Sequence, residues 1–262
     1  MKNKKIYGIL FIILSMILIL PSCKKKEETT KVDMSSVEYF NDKRDTFLDT
    51  PQRQVEGIID FGASAVRDED PDKEAKVVNF KSRAKATVED NKVLADVTQT
   101  NGGGSVSRQV YYNGENVYTD FNGGVTQEEN TYLFANDFLE YIDVFMPNFP
   151  EESIENKEVK EEDGLTVVSI GFKKDTFPQT VKSYMPLLTN YIDYDDDQMS
   201  IDIASLVIKY KDGELYSTAI TVKGLFNKDT EYPTAYSYEN TVMCGTDNIS
   251  ITVPENIAKF IE

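Results

Sequence analysis

The sequence predicts an α+β fold, in which helices pack on the concave face of one large curved antiparallel sheet, a half-open barrel. Short segments of alternating apolar and polar residues recur along most of the chain, which is the period of half-buried strands. Tight-turn dipeptides join many of these segments: Asn113-Gly114, Asn122-Gly123, Asp163-Gly164 and Asp212-Gly213. Only antiparallel neighbours can be joined by such short turns, so we expect a meander.

The N-terminal segment has the three parts of a secretory signal peptide. Lys2, Lys4 and Lys5 form a basic start, an apolar run covers residues 6–20, and a small residue precedes Cys23. As a helix, the apolar run spans about 22 Å at about 1.5 Å per residue. The hydrocarbon core of a bilayer is about 30 Å thick, so the run is short for a transmembrane anchor. We therefore predict a signal peptide over residues 1–22.

The tetrapeptide Leu20-Pro21-Ser22-Cys23 resembles a bacterial lipobox. The resemblance implies that Cys23 is acylated and becomes the new N-terminus, which would hold the chain on the extracytoplasmic face of the cell membrane. Two or more acyl chains suffice for stable anchoring, at about 0.8 kcal/mol per buried CH₂. The alternative is an incidental cysteine after an ordinary signal. Residues 23–36 are charged and lack aromatic side chains, which predicts a lipidated cysteine followed by a disordered tether.

Composition excludes several classes of function. Removing residues 1–22 removes three lysines and no acid, so the remainder carries 25 basic and 45 acidic side chains, a net charge of −20. Such a field opposes binding to nucleic acid. The chain has no histidine, which excludes histidine-dependent triads and most zinc sites. We predict no enzyme activity, no metal and no cofactor. Cys244, after Val242-Met243, is typical of a small buried hydrophobe rather than a reactive thiol.

Residues 37–262 are predicted to form one β-rich domain that begins with a helix. Val37, Phe40, Arg44, Phe47 and Leu48 recur at helical spacing after Ser36, a residue that can cap the helix. After Pro51 a second helical stripe is predicted from the spacing of Val55, Ile58 and Ile59. The first predicted strand covers residues 76–88. The later predicted strands contain Val93, Ala95 and Val97; Val106, Val110 and Tyr112; Val117, Thr119 and Phe121; and residues 165–172, 206–211, 214–225, 236–242 and 249–253.

Two further helices are predicted between the strands, and each needs an apolar surface to cover. Their apolar stripes are Phe134, Phe138, Tyr141, Ile142 and Phe145, and Val181, Tyr184, Met185, Leu188, Tyr191 and Ile192. The first predicted strand offers the small residues Ser82, Ala84 and Ala86 to such helices. Either the helices fill the space above those residues, or an apolar ligand shares it. In the second case we predict a groove lined by Phe138, Tyr141, Ile142, Phe145, Tyr184 and Leu188.

Other motifs lack the spacing that their chemistry needs. Ser82 and Lys85 have the spacing of serine–lysine enzymes, but residues three apart in a strand point to opposite faces. The acidic cluster Asp193, Asp195, Asp197 and Asp202 lacks the glycine and glutamate of a calcium loop, and so does the cluster Asp68, Asp70 and Asp72. We interpret both clusters as solvated loops. Gly102-Gly103-Gly104 is interpreted as a turn, since no phosphate-binding lysine follows.

The order of elements resembles that of the LolA/LppX-like lipoproteins. The resemblance covers about residues 37–262 and is carried by the hairpin at residues 111–118 and the closing segment at residues 249–255. It implies a half-open β-barrel with helices on its concave face, and the best understood members carry acyl chains or lipoproteins in that groove. A soluble periplasmic carrier would lack an anchor, so the lipobox is a departure from such carriers.

Three hypotheses for the function follow. The first is an anchored lipoprotein that binds an apolar or lipid-like ligand in the groove. The second is an envelope scaffold or accessory subunit with a filled core, which engages a protein partner through its sheet edge or acidic surface. The third is a hydrolase acting through paired carboxylates, which no spacing in the chain favours.

Overall fold

The structure is a computed structural model that describes residues 33–65, 77–129, 146, 148–176, 199–230 and 233–262. In these residues eleven strands form one antiparallel sheet, accompanied by two α-helices and two short 3-10 turns. The strands are β1 Gln52–Ala65, β2 Val77–Glu89, β3 Lys92–Asn101, β4 Gly104–Tyr112, β5 Asn116–Phe121, β6 Gly124–Glu129, β7 Ile154–Glu162, β8 Leu165–Phe172, β9 Ser200–Lys211, β10 Glu214–Phe226 and β11 Thr234–Gly245. The helices are α1 Val37–Asp49 and α2 Glu255–Ile261.

Two meanders meet in the middle of the sheet. The strand order is β6-β5-β4-β3-β2-β1-β11-β10-β9-β8-β7, so the first meander runs outward from β1 and the second runs inward to β11. Strands β1 and β11 pair without interruption from Gln54 opposite Gly245 to Ala65 opposite Thr234. The outermost strands β6 and β7 do not pair with each other. The predicted large, curved and open antiparallel sheet is therefore confirmed.

The predicted turns have the backbone that tight hairpins require. Asn122, Asp163 and Asp212 have φ of 53°, 53° and 52°, and the glycine after each also has positive φ. Two successive residues of positive φ make the mirror-image turn whose twist matches that of the paired strands. The hairpin at Asn113-Gly114 uses a longer loop, in which the Asn113 carboxamide oxygen accepts hydrogen bonds from the N–H groups of Glu115 and Asn116, both at 2.8 Å.

Helix α1 packs on what we call the inner face of the sheet, the face that carries Val55, Ile59 and Phe61 of β1. The Ser36 hydroxyl accepts a hydrogen bond from the Tyr39 N–H at 3.1 Å, which caps the helix as predicted. The buried helix residues Val37, Phe40 and Phe47 belong to the main hydrophobic core. Phe40 stacks on Phe149, with ring centroids 5.6 Å apart. One predicted helix thus covers part of the inner face.

The predicted second helical stripe at Val55, Ile58 and Ile59 is wrong, because these residues lie in β1. Val55 and Ile59 are buried on the inner face, and Ile58 points to the opposite, outer face. Burial in β1 alternates along the strand, at Arg53, Val55, Gly57, Ile59, Phe61 and Ala63. Pairing with both β2 and β11 satisfies the backbone along most of this strand, which overrides a weak local helical spacing.

The predicted strand at residues 249–253 is also wrong. Strand β11 already pairs with β1 and β10, so the residues after it have no open edge beside them. This segment instead crosses the outer face, where Ile251 and Val253 pack against a cluster that contains Tyr111 and Tyr118. Helix α2 follows, and its Ile257 is fully buried against Tyr111 and Tyr118.

The residues from Met34 to Glu262 form one compact unit. All of the strand pairings described above, both helices and both hydrophobic clusters lie within it. A unit that contains the described hydrophobic core and the described sheet pairing has what a domain needs to fold by itself.

Candidate ligand-binding face

Small side chains are concentrated on the inner face where β1, β2 and β3 run side by side. Gly57 of β1 lies opposite Ala84 of β2, and Ala84 lies opposite Val97 of β3. In the neighbouring row, Ala86 lies opposite Ala95, and both are completely buried. We call Gly57, Ser82, Ala84, Ala86 and Ala95 the small-residue patch. As predicted, Ser82, Ala84 and Ala86 share the inner face of their strand.

The other half of the inner face is filled by large side chains. Leu206, Ile208 and Ile220 of β9 and β10 are at most 1 % exposed. Beyond them the rings of Phe149 and Phe172 meet edge to face, with centroids 5.0 Å apart. The inner face therefore has a packed half under α1 and a half whose side chains are too short to fill equivalent space.

Asn240 of β11 is a polar residue inside this apolar face. It lies opposite Ile59 of β1 and Ile220 of β10, and it is 0 % exposed. Among the residues that the structure describes, neither its side-chain oxygen nor its side-chain nitrogen has a hydrogen-bond partner. Gly57 lies diagonally across the β1–β11 pair, since its direct partner is Val242. The Asn240 amide therefore lies at the border of the small-residue patch, beside Gly57, which has no side chain.

Burying an amide without partners is costly, by about 1–3 kcal/mol from mutational data. Buried polar groups are nearly always satisfied, so an exception calls for a physical explanation. On this face the neighbours of Asn240 along its strand are Tyr238 and Val242, both fully buried. Asn240 is the residue that the sequence interpretation missed. The signal was present, since it replaces an apolar residue in the alternation Tyr236, Tyr238, Asn240, Val242.

Burial also controls the ionisable groups on the inner face. It raises the pKa of the Cys244 thiol from 9.0 to about 12, although the residue as a whole is only half-buried. Burial likewise raises the pKa values of Tyr210 and Tyr236, so both phenols remain neutral at physiological pH. The sequence predicted that Cys244 is a small buried hydrophobe rather than a reactive thiol; the residue is half-buried, and its raised pKa opposes formation of the reactive thiolate.

The outer face carries a shallow polar groove of about 330 Å³ near α2. Its side chains are already engaged with one another. Gln109 donates a hydrogen bond to Asp96 at 2.7 Å, and the Thr98 and Ser107 hydroxyls lie 2.9 Å apart. The polar groups of this groove already form hydrogen bonds with one another, so the groove is a weaker candidate for a ligand-binding site than the inner face.

The six residues predicted to line the groove lie outside the described residues, and so does Cys23. The same holds for the acidic clusters, apart from Asp202, which is exposed. Ser82 and Lys85 lie in β2, with Ser82 half-buried and Lys85 exposed, which agrees with opposite faces. Within the described ranges no group of three or more acidic or cysteine side chains could hold a metal ion. No helix among the described residues has the length and apolarity needed to span a membrane.

Comparison with known proteins yields only distant structural likenesses. No protein-family model and no curated protein match the sequence. The solved structures that are similar include LprF from Mycobacterium bovis, with a TM-score of 0.38, 10% identity, and coverage of 84% of this chain and 96% of that chain. A structure of lipovitellin with its lipid–protein interactions has a TM-score of 0.36 and 8% identity, over 78% of this chain and 26% of that one. A DUF1329 family protein from Desulfovibrio piger has a TM-score of 0.26 and 13% identity, with 84% and 95% coverage. All three scores are too low to bear on the function.

Proposed function

We propose that this chain is a membrane-anchored extracytoplasmic lipoprotein that binds an apolar or lipid-like ligand on the inner face of its sheet, without enzymatic activity. The anchor would be a lipid on Cys23, after removal of residues 1–22. The ligand would lie against the small-residue patch, beneath the helices predicted from the stripes that contain Phe138 and Tyr184. This arrangement is the one that the resemblance to LolA/LppX-like proteins implies.

The observation that supports ligand binding is the contrast within the inner face. Large residues fill the half under α1, whereas Gly57, Ala84 and Ala86 leave short side chains over the other half. Apolar pockets with a few placed polar groups are the usual form of small-molecule sites. The buried, unpartnered amide of Asn240 is a polar group of that kind.

Recovery of the ligand is the direct test. The segment of residues 32–262, purified gently without the anchor, would be examined by native mass spectrometry and by organic extraction. We expect a stoichiometric apolar molecule in both measurements. A clean apo mass, together with an experimental structure in which side chains fill the inner face, would refute the proposal.

A pair of variants tests the location. Ala84→Leu adds three carbons to the small-residue patch, and we expect it to abolish recovery of the ligand while the segment stays folded. Lys85→Leu is the matched control, because Lys85 is the next residue along β2 and is exposed on the outer face. Equal recovery from both variants would place the ligand elsewhere.

The anchor is tested by partitioning between membrane and medium. We expect Cys23→Ala to lose stable membrane association, since no acyl chain can then be attached at that position. Cys244→Ala is the control, because it removes the other cysteine of the chain and leaves Cys23 intact. If the Cys23→Ala protein is as membrane-bound as its parent, the proposal that Cys23 carries the lipid anchor is refuted.

A second candidate function is an envelope scaffold that pairs with a protein partner through the free edge of β7. In β7 every residue after Ile154 is exposed, and the strand ends the sheet. An exposed edge can accept an added strand, although the many charged side chains of β7 oppose non-specific pairing. Pull-down of the same envelope protein by the parent, lost in a Val159→Pro variant, would favour this function.

A further inference from the structure

We infer that the ligand on the inner face carries a neutral group that both donates and accepts hydrogen bonds, and that this group pairs with the Asn240 side-chain amide. The inference rests on the proposed function and specifies its ligand. A primary amide, a protonated carboxylic acid or a hydroxyl has the required chemistry. An unsubstituted hydrocarbon or a simple ester does not.

The requirement for both hydrogen-bonding roles follows from the amide itself. Its oxygen accepts and its nitrogen donates. Asn240 is 0 % exposed, and neither atom has a partner in the described part of the chain. An ester would accept from the nitrogen but leave the Asn240 oxygen buried and unpaired. A group with both functions satisfies both atoms, so the cost of burying the amide is removed only in that case.

The requirement for neutrality follows from the residues around Asn240. The described inner-face residues that lie opposite it, beside it or diagonally from it are all uncharged: Ile59, Ile220, Tyr238, Val242, Gly57, Phe61, Thr218 and Val222. A charged headgroup brought among these residues would lose its hydration without gaining a counter-ion. An ionised carboxylate or a phosphate is therefore disfavoured at this position.

Access to the amide is provided by the small-residue patch. Gly57 has no side chain, and Ala84 beside it has only a methyl group. An apolar chain lying along Ala84 and its partner Val97, which are both half-buried, would run past Gly57 and present a terminal polar group to Asn240. In this orientation the polar end of the ligand lies at Asn240, on the inner face of β11, and its apolar chain extends across β2 and β3.

The test uses two probes of equal chain length, decanamide and methyl decanoate, titrated calorimetrically into residues 32–262 after removal of bound material. We expect the parent to bind decanamide about tenfold more tightly, a difference of about 1.4 kcal/mol, because the ester leaves the Asn240 oxygen buried without a partner. Asn240→Leu should lose this preference and bind methyl decanoate at least as tightly as the parent does. Thr241→Val is the matched control, because Thr241 is the next residue and lies on the outer face, and it should keep the preference.

The outcomes separate this inference from the function on which it rests. If the parent binds both probes equally, the role of Asn240 is refuted while ligand binding stands. If the parent binds neither probe and no apolar molecule is recovered from cells, the proposed function fails as well. If Asn240→Leu does not fold, the comparison of decanamide with methyl decanoate on the parent still tests the inference. A crystal structure of the parent in which protein groups or a water satisfy both amide atoms would also overturn the inference.

Discussion

The side-chain amide of Asn256 in α2 donates a hydrogen bond of 2.8 Å to the Asp120 carboxylate in β5, which joins the C-terminal helix to the last strand but one of the first meander. Asp120 is only 8 % exposed, and its other oxygen accepts from the Gly123 N–H at 2.8 Å. The carboxylate therefore holds a hairpin turn and the C-terminal helix at the same time. This contact fixes α2 on the outer face.

We expect Asn256→Ala to lower the free energy of unfolding by about 1 kcal/mol, because a hydrogen bond to a charged and nearly buried group is lost. Urea unfolding of the single and double variants with Asp120→Ala should give a coupling energy of similar size. Lys259→Ala serves as the control. It removes the exposed ion pair with Glu255 in the same helix, and such pairs contribute a few tenths of a kcal/mol. Strict additivity of the Asn256 and Asp120 variants would contradict the role of this contact.

Packing of α2 depends on Ile257, which is 0 % exposed and belongs to one hydrophobic cluster with Tyr111 and Tyr118. Ile257→Ala should lower the free energy of unfolding by about 2–4 kcal/mol, since it removes buried methyl groups and leaves a cavity. Ile261→Ala is the matched substitution in the same helix. Ile261 is 45 % exposed, so we expect a change within about 0.5 kcal/mol. Equal effects of the two variants in urea unfolding would mean that α2 does not pack as described.

Gly224 is required by a close approach of the backbone. It follows a register shift in the pairing of β9 with β10, and a Cβ atom at this position would clash with the Ser200 carbonyl oxygen and lie 2.9 Å from the Tyr236 hydroxyl. Gly224→Ala should therefore destabilise the protein by about 2 kcal/mol or more, because the Ser200 backbone would have to move. At Gly102 a Cβ atom would meet nothing within 4 Å, so Gly102→Ala should melt within a few degrees of the parent. A parent-like melting temperature for Gly224→Ala would show that the bulge can rearrange.

The sequence predicted those parts of the fold in which local pattern and tertiary environment agree. Strand β2 is an example, since Phe80, Ala84 and Val88 alternate with charged residues and lie on one face as expected. The hairpins at Asn122, Asp163 and Asp212 were equally clear, because positive φ at two successive residues demands a small set of residue types. These signals are local, so no knowledge of the rest of the chain was needed.

The errors arose where distant contacts decide the structure. Strand β7 was not predicted, because its sequence has almost no apolar alternation and both its faces are exposed, leaving Ile154 half-buried at its start. Residues 249–253 alternate as a strand does, but the sheet has no free edge beside β11. Of the candidate site, the small residues of β2 were predicted correctly. The role of Asn240 depends on its neighbours Ile59 and Ile220 in other strands, which a linear pattern does not reveal.

Stability at alkaline pH should depend on Cys244. In the folded chain burial raises the pKa of its thiol from 9.0 to about 12, so between these values the unfolded chain gives up a proton that the folded chain retains. Stability falls with rising pH wherever the unfolded state binds fewer protons, so this contribution is complete below pH 9 and is lost as the pH rises towards 12. One proton corresponds to at most about 1.4 kcal/mol per pH unit.

We therefore expect the parent to lose up to about 2 kcal/mol more than Cys244→Ala between pH 8 and pH 10.5, measured by urea unfolding under reducing conditions. The phenols of Tyr210 and Tyr236 also have raised pKa values, and they destabilise both proteins alike in this range. Their contribution cancels in the comparison, which leaves the thiol as the difference. Parallel pH profiles for the two proteins would show that the Cys244 sulfur is hydrated in the folded state, and that the apolar inner face does not extend to this end of β11.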